Sequence, residues 1–355
     1  MFNESRIARI KVIGVGGAGG NSINDMLSGG FSDIDLVVAN TDIQDLVKSE
    51  VEIKVQLGEK ITKGLGAGAD PEVGRLAAEE DRDKIKSVLA NTDLLFITAG
   101  LGGGTGTGAA PIIAKIAKEL GILTVAVVTK PFTFEGQRRV KNAEEGFAKL
   151  EKEVDTIVVI PNDKLFEIAE DRNISLVNAF EEANNVLRIG IRSITDLITT
   201  QGLINLDFAD VRSTMSNSGI AMLGFGYAEG EDRAKKATEK ALSSPLLERP
   251  IAGARRLLLN VTGGRDLGLG EANQIATMIS ESSNNSLTEI IFGTVLDEEK
   301  GGGVQVTIIA TDFIGLEKDK IGKRDGGSEG VVQKLDGTYD DSIDIPAFVR
   351  RGIKG

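Results

Sequence analysis

The sequence GGGTGTG at residues 102–108 decides the fold of this chain. It follows the apolar run LLFI at 94–97 and precedes apolar residues at helical spacing, an order that predicts strand, glycine loop and helix. Pro111 suits the first turn of such a helix. Backbone amides at a helix amino end bind phosphate, and glycines let the anion approach closely. The chain contains no G-x-x-x-x-G-K-[ST] sequence, so the predicted phosphate loop is not a Walker A loop.

A second glycine-rich loop lies near the amino end of the chain. The segment GVGGAGG at 14–20 follows a short apolar strand pattern, and Gly14, Gly16 and Gly19 fit the G-x-G-x-x-G fingerprint. One such match is weak, because a tight strand-to-helix turn also uses glycines. Two loops of this kind in one chain favour a ligand with several phosphates.

Composition excludes several classes of protein. The 355 residues include no cysteine and no histidine, which excludes disulfides, thiol nucleophiles, Cys/His zinc sites and Ser-His-Asp triads. A net charge of −12 argues against binding to nucleic acid or directly to an anionic membrane. No signal peptide is evident and no apolar run approaches the ~20 residues of a membrane span, so we expect a soluble, cytoplasmic protein.

The first half of the chain alternates apolar strand patterns with helical ones. The expected strands are 11–14, 35–39, 94–98, 124–129 and 156–160. They are almost continuously apolar, which is typical of parallel strands covered on both faces. The loops that follow them are 14–20, 40–42, 99–108, 130–136 and 161–163. Since ligands of open α/β sheets bind at the carboxyl ends of the strands, these loops are expected to surround the site.

The second half has a different pattern. Residues 175–199 carry apolar side chains at steps of three and four, which predicts a long helix ended by Gly202. Further strands are expected at 219–226, 255–262, 289–296 and 304–311, with helices near 231–243 and 270–281. This mixture predicts a smaller α+β domain.

These motifs together resemble the FtsZ family of tubulin-like prokaryotic cell-division GTPases. The matching stretches are 11–21, 38–42, 64–71, 98–111, 130–139, 160–163, 202–211, 243–247 and 344–351. The resemblance implies an α/β, tubulin/FtsZ-like fold: a parallel Rossmann-like nucleotide-binding sheet, a long central helix and a smaller α+β second domain. The implied divisions are a GTP-binding domain (1–174), the central helix (175–201), a GTPase-activating domain (202–316), a flexible linker (317–339) and a tail (340–355).

The resemblance also implies which residues bind GTP or GDP. They are Gly17, Ala18, Gly19, Gly20, Asn21, Gly104, Thr105, Gly106, Glu135, Arg139, Phe180 and Asn184. Arg139 would supply a cation that both glycine loops lack, although an ordinary solvated helix face would also explain it. Phe180 would pack on guanine and Asn184 on its edge, although Phe180 equally fits the apolar stripe of the helix. Mg²⁺ is expected to be held mainly by the phosphates, with no protein ligand assigned.

The sequence NLDFAD at 205–210 is the candidate catalytic loop. The resemblance implies that Asn205, Asp207 and Asp210 polarise the attacking water, whereas the residues alone leave open that Asp207 only caps the next helix. A helix from Asn184 to Asp207 would separate them by roughly 35 Å. Asp207 could then reach only the nucleotide of a neighbour stacked head to tail, a contact that builds a filament. The family's mechanism has this form.

The tail DDSIDIPAFVRR at 340–351 is acidic, then apolar, then basic. Taken alone it is typical of a disordered chain end. It resembles the peptide by which FtsZ-family proteins bind membrane tethers such as FtsA, ZipA or SepF. The implied partners are other copies of the chain and such an adaptor, with only indirect contact to the membrane, at the mid-cell division ring.

Two other functions fit parts of the sequence. A Rossmann-type oxidoreductase would explain 14–19, but not 102–108 or 205–210, and the chain has no histidine to act as the usual proton donor. A nucleotide-binding scaffold without turnover would explain both glycine loops, but Asp207 and Asp210 argue against it.

Overall fold

A single ten-stranded sheet forms the frame of the residues that the computed structural model describes, namely 8–31, 34–165, 175–200, 202, 204, 206–283, 288–297 and 301–313. Its strands are β1 (Ile10–Val15), β2 (Asp35–Asn40), β3 (Ile53–Gln56), β4 (Leu94–Gly100), β5 (Leu123–Lys130), β6 (Thr156–Pro161), β7 (Gly219–Glu229), β8 (Ala254–Gly263), β9 (Glu289–Leu296) and β10 (Gly303–Phe313). Their order across the sheet is β3-β2-β1-β4-β5-β6-β7-β10-β8-β9.

The first six strands are parallel, as their apolar character predicts. β7 continues this sheet through three residue pairs with β6, and β10 then pairs antiparallel with both β7 and β8. The expected α/β fold is confirmed, with each expected strand in place. β3 was not expected. Its sequence IKVQ alternates apolar and polar side chains, which suits a short strand at the edge of a sheet.

Eleven α-helices in the described ranges cover the sheet. They are α1 (Gly16–Ser28), α2 (Ile43–Lys48), α3 (Glu59–Thr62), α4 (Pro71–Glu80), α5 (Arg82–Leu89), α6 (Thr105–Glu119), α7 (Gln137–Leu150), α8 (Leu176–Thr199), α9 (Phe208–Met215), α10 (Arg233–Leu242) and α11 (Leu269–Ser283). None of these helices is long and apolar enough to cross a membrane.

Local sequence explains where several helices begin. Ser175 caps α8 by accepting a hydrogen bond from the amide of Asn178, and α4 has Asp70 as its cap and Pro71 at its first position. The expectation for Pro111 was wrong. Because α6 begins at Thr105, inside the glycine loop, Pro111 lies within the helix rather than in its first turn.

The apolar core lies on both faces of the parallel strands. Alternate residues of β4 point to opposite faces, so that Phe96 belongs to one cluster and Ile97 to the other. The long helix α8 buries Ala183, Leu187 and Ile191 in the first cluster. α8 therefore lies along one face of the sheet, and α6 lies against the other.

The second half of the sheet has its own cluster, formed by β7, β8 and β10 against α10 and α11. The buried Arg233 joins the two helices by donating hydrogen bonds to Glu271 at 2.7 and 2.9 Å and to Asp266 at 2.6 Å. The hydrogen bond from Arg233 also lowers the pKa of Glu271.

The predicted domain boundaries stay predictions, since the sheet runs through both halves. The predicted linker and tail lie outside the described residues.

A close contact between α4 and α6 explains one glycine of the GGGTGTG sequence. A β-carbon at Gly108 would lie 1.9 Å from the carbonyl oxygen of Pro71 and 2.6 Å from the amide nitrogen of Arg75. Both atoms belong to the backbone of α4, so neither can rotate away. Gly108 is therefore required for the packing of two helices, independently of any ligand.

Replacing Gly108 with alanine is expected to lower the free energy of unfolding by about 3 kcal/mol or more, because the methyl group overlaps the α4 backbone. Urea unfolding without nucleotide measures this. Gly103→Ala is the matched control, since a β-carbon there would meet nothing within 4 Å, and it should change stability by less than about 0.5 kcal/mol. Equal stability of the two variants would contradict the close packing of α4 on α6.

Candidate functional site

The carboxyl ends of the parallel strands open into one cavity with a volume of about 490 Å³. Residues at the ends of five strands, or next to those ends, line it: Val15, Asn40, Gly100, Thr129 and Asn162. Both glycine loops border the same space. The cavity therefore lies at the edge where the sequence places the ligand.

Nine of the predicted nucleotide-binding residues line this cavity. They are Gly17, Ala18, Gly104, Thr105, Gly106, Glu135, Arg139, Phe180 and Asn184. Gly20 and Asn21 instead line a smaller adjoining cavity of about 60 Å³, which Gly17 also borders. Gly19 is buried and lines neither of these two cavities. The two loops and α8 are thus brought together, as the sequence predicts, while part of the first loop faces away.

The two glycine loops contact each other directly. Gly16 has φ +75° and is the first residue of α1, and a β-carbon there would lie 2.9 Å from the amide nitrogen of Gly106. Gly106 lies in the first turn of α6. The amino ends of α1 and α6 therefore meet at the cavity, where their free amides and dipoles favour an anion.

Hydroxyl groups fix the shape of the second loop. The Thr41 and Thr105 hydroxyl oxygens are 2.7 Å apart, and the Thr107 hydroxyl accepts a hydrogen bond of 2.8 Å from the Gly102 amide. Thr41 and Thr107 are almost completely buried. The loop is thus held by the protein itself before any ligand binds.

Arg139 lines the cavity, whereas the two cationic residues near it in the sequence do not. Its guanidinium forms an ion pair of 2.5 Å with Glu135, whose other carboxylate oxygen accepts the amide of Phe132 at 2.9 Å. All three side chains are exposed, but Arg138 and Lys141 do not line the cavity. Its place in the cavity wall, rather than burial, makes Arg139 a candidate ligand contact.

Phe180 departs from the core stripe of α8. Its side chain is 41% exposed, whereas Ala183 and Leu187 are buried. The ring meets the buried Phe132 edge to face, with centroids 5.4 Å apart. Phe180 is therefore held in place from one side and open to the cavity on the other, which is the arrangement that a flat aromatic ligand requires.

Asn184 is also held in place. The buried Ser22 hydroxyl donates a hydrogen bond of 3.0 Å to its side-chain oxygen. This bond links α1 to α8 and orients the amide group at the cavity wall. Phe180 and Asn184 project together, as their spacing of one helical turn predicts.

Asn162, Asp42 and Asp45 are polar cavity residues that the sequence analysis did not single out. Asn162 is buried, and its side-chain oxygen has no hydrogen-bond partner among the described residues. Asp42 and Asp45 line the same cavity as the glycine loops; Asp42 caps α2, and Asp45 accepts a hydrogen bond from Asn40. All three lie in or next to loops that follow parallel strands, and this position is the signal that could have identified them.

Asp207 and Asp210 do not line the cavity. Each carboxylate accepts the backbone amide of the other, at 2.8 and 3.1 Å, so that the pair forms a capping box at the start of α9. The capping role that the sequence left open is therefore present. Asn205 lies outside the described residues.

α9 lies near the amino ends of β5 and β6, whereas the cavity lies at the carboxyl ends of the strands. Arg212 donates a hydrogen bond of 3.4 Å to the carbonyl of Gly121, just before β5, and the Thr156 hydroxyl at the start of β6 donates to the carbonyl of Met215. The eight residues of β5 span roughly 26 Å. The estimate of 35 Å along one helix was wrong, because α8 ends at Thr199, roughly 22 Å beyond Asn184. The separation comes instead from the length of the strands, since the cavity lies at their carboxyl ends and α9 lies near the amino ends of β5 and β6.

Known families match both halves of the chain. A model described as Tubulin/FtsZ family, GTPase domain, matches residues 9–170, and one described as FtsZ family, C-terminal domain, matches residues 219–314. The chain is 50% identical over 351 residues to the cell division protein FtsZ of Coxiella burnetii (strain RSA 493 / Nine Mile phase I), covering 97% of this chain and 88% of that protein.

Solved structures agree with this assignment. An empty FtsZ dimer from M. jannaschii has a TM-score of 0.82 and 46% identity, covering 86% of this chain and 88% of that one. CetZ1 from Haloferax volcanii, a GDP-bound monomer, has a TM-score of 0.74 and 24% identity, covering 85% and 93%, and shows the fold alone. The oxidoreductase alternative is thereby excluded. The chain belongs to the FtsZ family of tubulin-like cell-division GTPases, with its GTPase domain at residues 9–170.

Proposed function

We propose that the large cavity binds GTP and that the chain stacks head to tail, so that each nucleotide is hydrolysed with Asp207 and Asp210 of the adjoining subunit. The observation that carries this proposal is the placement of the two carboxylates at the edge of the sheet opposite the cavity. A subunit whose binding and hydrolytic residues lie at opposite ends can bring them together only by contact with another copy. Such a contact repeats without closing and builds a filament.

Each part of the cavity suits one part of the nucleotide. The amides of Gly17 and Ala18 and those at 104–106 would hold the phosphates, with Thr105 contributing its hydroxyl. Arg139 and Glu135 would lie beside the nucleotide at the cavity wall. Phe180 would pack against guanine, while Asn184 would hydrogen-bond its edge. Asn162, whose buried side-chain oxygen lacks a partner among the described residues, would gain one from the ligand.

Mg²⁺ would enter with the phosphates. The described residues contain no cluster of three or more candidate metal ligands, and we expect the metal to be held mainly by phosphate oxygens. Asp42 and Asp45 fit beside it, since hard divalent cations prefer carboxylate and water oxygens. When bound, Mg²⁺ would neutralise phosphate charge that the acidic chain cannot offset.

The capping box and the hydrolytic role are compatible. Capping uses one oxygen of each carboxylate and fixes both side chains on the first turn of α9, while the Asp207 residue stays exposed. Exposed, oriented carboxylates can align a water molecule and accept its proton. With no histidine or cysteine in the chain, carboxylates are the fitting candidates for this role.

Thr105→Arg and Gly104→Asp are each expected to abolish GTP binding. Arginine at 105 would fill the space of the phosphates, because Thr105 is buried at the cavity wall. A β-carbon at Gly104 would lie 2.7 Å from that of Ala67 and 3.0 Å from the Asp70 backbone, so aspartate would displace the loop and add a negative charge beside the phosphates. Equilibrium binding of a fluorescent GTP analogue measures the effect, with circular dichroism as a check on folding. Unchanged affinity in a folded variant would refute the assignment.

Asp207→Ala and Asp207→Asn separate capping from hydrolysis. Asn caps helices about as well as Asp, whereas Ala costs about 1 kcal/mol. Both variants should bind GTP normally and polymerise, yet lose hydrolysis by roughly 100-fold or more, because neither carries the carboxylate. Phosphate release measured against protein concentration is the assay, and wild type should show a threshold.

Mixing either Asp207 variant with Thr105→Arg subunits tests the direction of the contact, since each subunit retains what the other lacks. Turnover restored by mixing supports action on the neighbour's nucleotide. Full wild-type turnover by dilute monomers would contradict it, and wild-type turnover by Asp207→Asn would reduce Asp207 to a helix cap.

In the cell, these filaments would form the cytoplasmic division ring at mid-cell and reach the membrane through an adaptor such as FtsA, ZipA or SepF. The sequence of residues 340–351 supports this, with Ile345 and Phe348 as apolar anchors and Arg350 and Arg351 as charged contacts. A single tail would bind weakly, and the polymer would gain affinity from many copies.

Deleting residues 340–355 should leave the GTPase rate and polymerisation almost unchanged while removing co-sedimentation with adaptor-coated vesicles. The reason is that the residues of the nucleotide cavity and of α9 all lie before 316. Bare vesicles are the control for non-specific binding. A truncated chain that still sediments like the intact one would place the anchor elsewhere.

A further inference from the structure

The outermost strand β9 holds the segment that leads into Asp207. The amide of Ile204 donates a hydrogen bond of 2.8 Å to the Thr294 hydroxyl, and the amide of Thr294 donates one of 3.0 Å to the Ile204 carbonyl. β9 is the last strand of the sheet, so its outer edge is available for such pairing. Thr294 is only 3% exposed, and both bonds are therefore formed at a fixed point of the sheet.

The residue beside Thr294 makes room for the same segment. A β-carbon at Gly293 would lie 2.4 Å from a methyl group of Leu197 and 3.3 Å from one of Leu206. Leu206 directly precedes Asp207, and Leu197 lies in the last turns of α8. Gly293 and Thr294 therefore hold the segment on both sides of residue 205, by packing and by hydrogen bonds.

We propose that Thr294 is a positioning residue for GTP hydrolysis: from β9 of one subunit it sets the placement of Asp207 and Asp210 against the neighbour's nucleotide. The proposal rests on the function proposed above for these carboxylates. Asp207 follows Ile204 by three residues, which extend at most about 11 Å. A change in the hydrogen bond between Ile204 and Thr294 can therefore alter the position of Asp207 over a short distance along the chain.

The side chain of Thr294 controls only one of the two bonds. The bond from its amide persists in any variant, whereas the bond from Ile204 depends on the hydroxyl. When the hydroxyl is lost, the Thr294 amide still holds the Ile204 carbonyl at 3.0 Å. The loss is therefore expected to loosen the segment rather than unfold the domain, and catalysis is sensitive to small misplacements.

Thr294→Val removes the hydroxyl at nearly constant shape, and Thr294→Ser restores it. The matched control is Thr238→Val in α10, a fully buried threonine whose hydroxyl donates to the Ala234 carbonyl of its own helix at 2.7 Å. The full-length variants would be compared in phosphate release at saturating GTP above the assembly threshold, in GTP affinity when dilute, and in melting temperature.

Thr294→Val should lower kcat by about tenfold, the effect of one lost hydrogen bond, with GTP affinity and the assembly threshold unchanged. Thr294→Ser and Thr238→Val should turn over within about twofold of wild type. Restoration by serine is the result that a purely structural role of the methyl group would not give.

Three results would overturn the inference: wild-type kcat in Thr294→Val, a kcat in Thr294→Ser as low as in Thr294→Val, or a loss confined to GTP affinity. Asp207→Asn, measured in the same assay, distinguishes failure of this inference from failure of the hydrolytic role proposed for Asp207. If Asp207→Asn loses turnover while Thr294→Val keeps it, only the positioning role fails. If Asp207→Asn keeps full turnover, the proposed hydrolytic role fails, and the positioning role with it.

Discussion

The direct contact between two glycine loops is the constraint on which the rest of the molecule depends. Gly16 and Gly106 come so close that a side chain at Gly16 would overlap the amide of Gly106. This approach brings the amino ends of α1 and α6 to one point and creates a concentration of free amides without any lysine. A chain with a net charge of −12 can hold a polyphosphate only through such a local arrangement.

The parallel sheet then separates binding from hydrolysis. All five cavity-forming strands run in one direction, so their carboxyl ends line the cavity, while α9 with Asp207 and Asp210 contacts the amino ends of β5 and β6. The two groups cannot meet within one copy. The dependence of hydrolysis on assembly, as we propose it, thus follows from strand direction rather than from a regulatory element added to the fold.

Sequence predicts this architecture well where the signal is local and repeated. The apolar parallel strands, the stripe of α8 and the two glycine loops each follow from spacing alone. β3 was missed because four alternating residues at a sheet edge carry little signal. Pro111 was misplaced because α6 starts inside the glycine loop, six residues before it, where the glycines favour a turn rather than a helix. The sequence did not identify Asn162, Asp42 and Asp45 as cavity residues, because they come together only when the ends of separate strands lie side by side.

The carboxylate pair shows why a structural and a functional interpretation of the same residue need not compete. Capping of α9 fixes the backbone and one oxygen of each of Asp207 and Asp210, and it does so at a helix that rests on the amino edge of the sheet. A group that orients water must be held rigidly while remaining accessible, and a helix cap supplies both conditions. The hydrogen bond to Thr294 and the packing at Gly293 hold the residues that immediately precede this cap, Ile204 and Leu206. On this view, the stability of the loop and its chemistry are set by the same bonds.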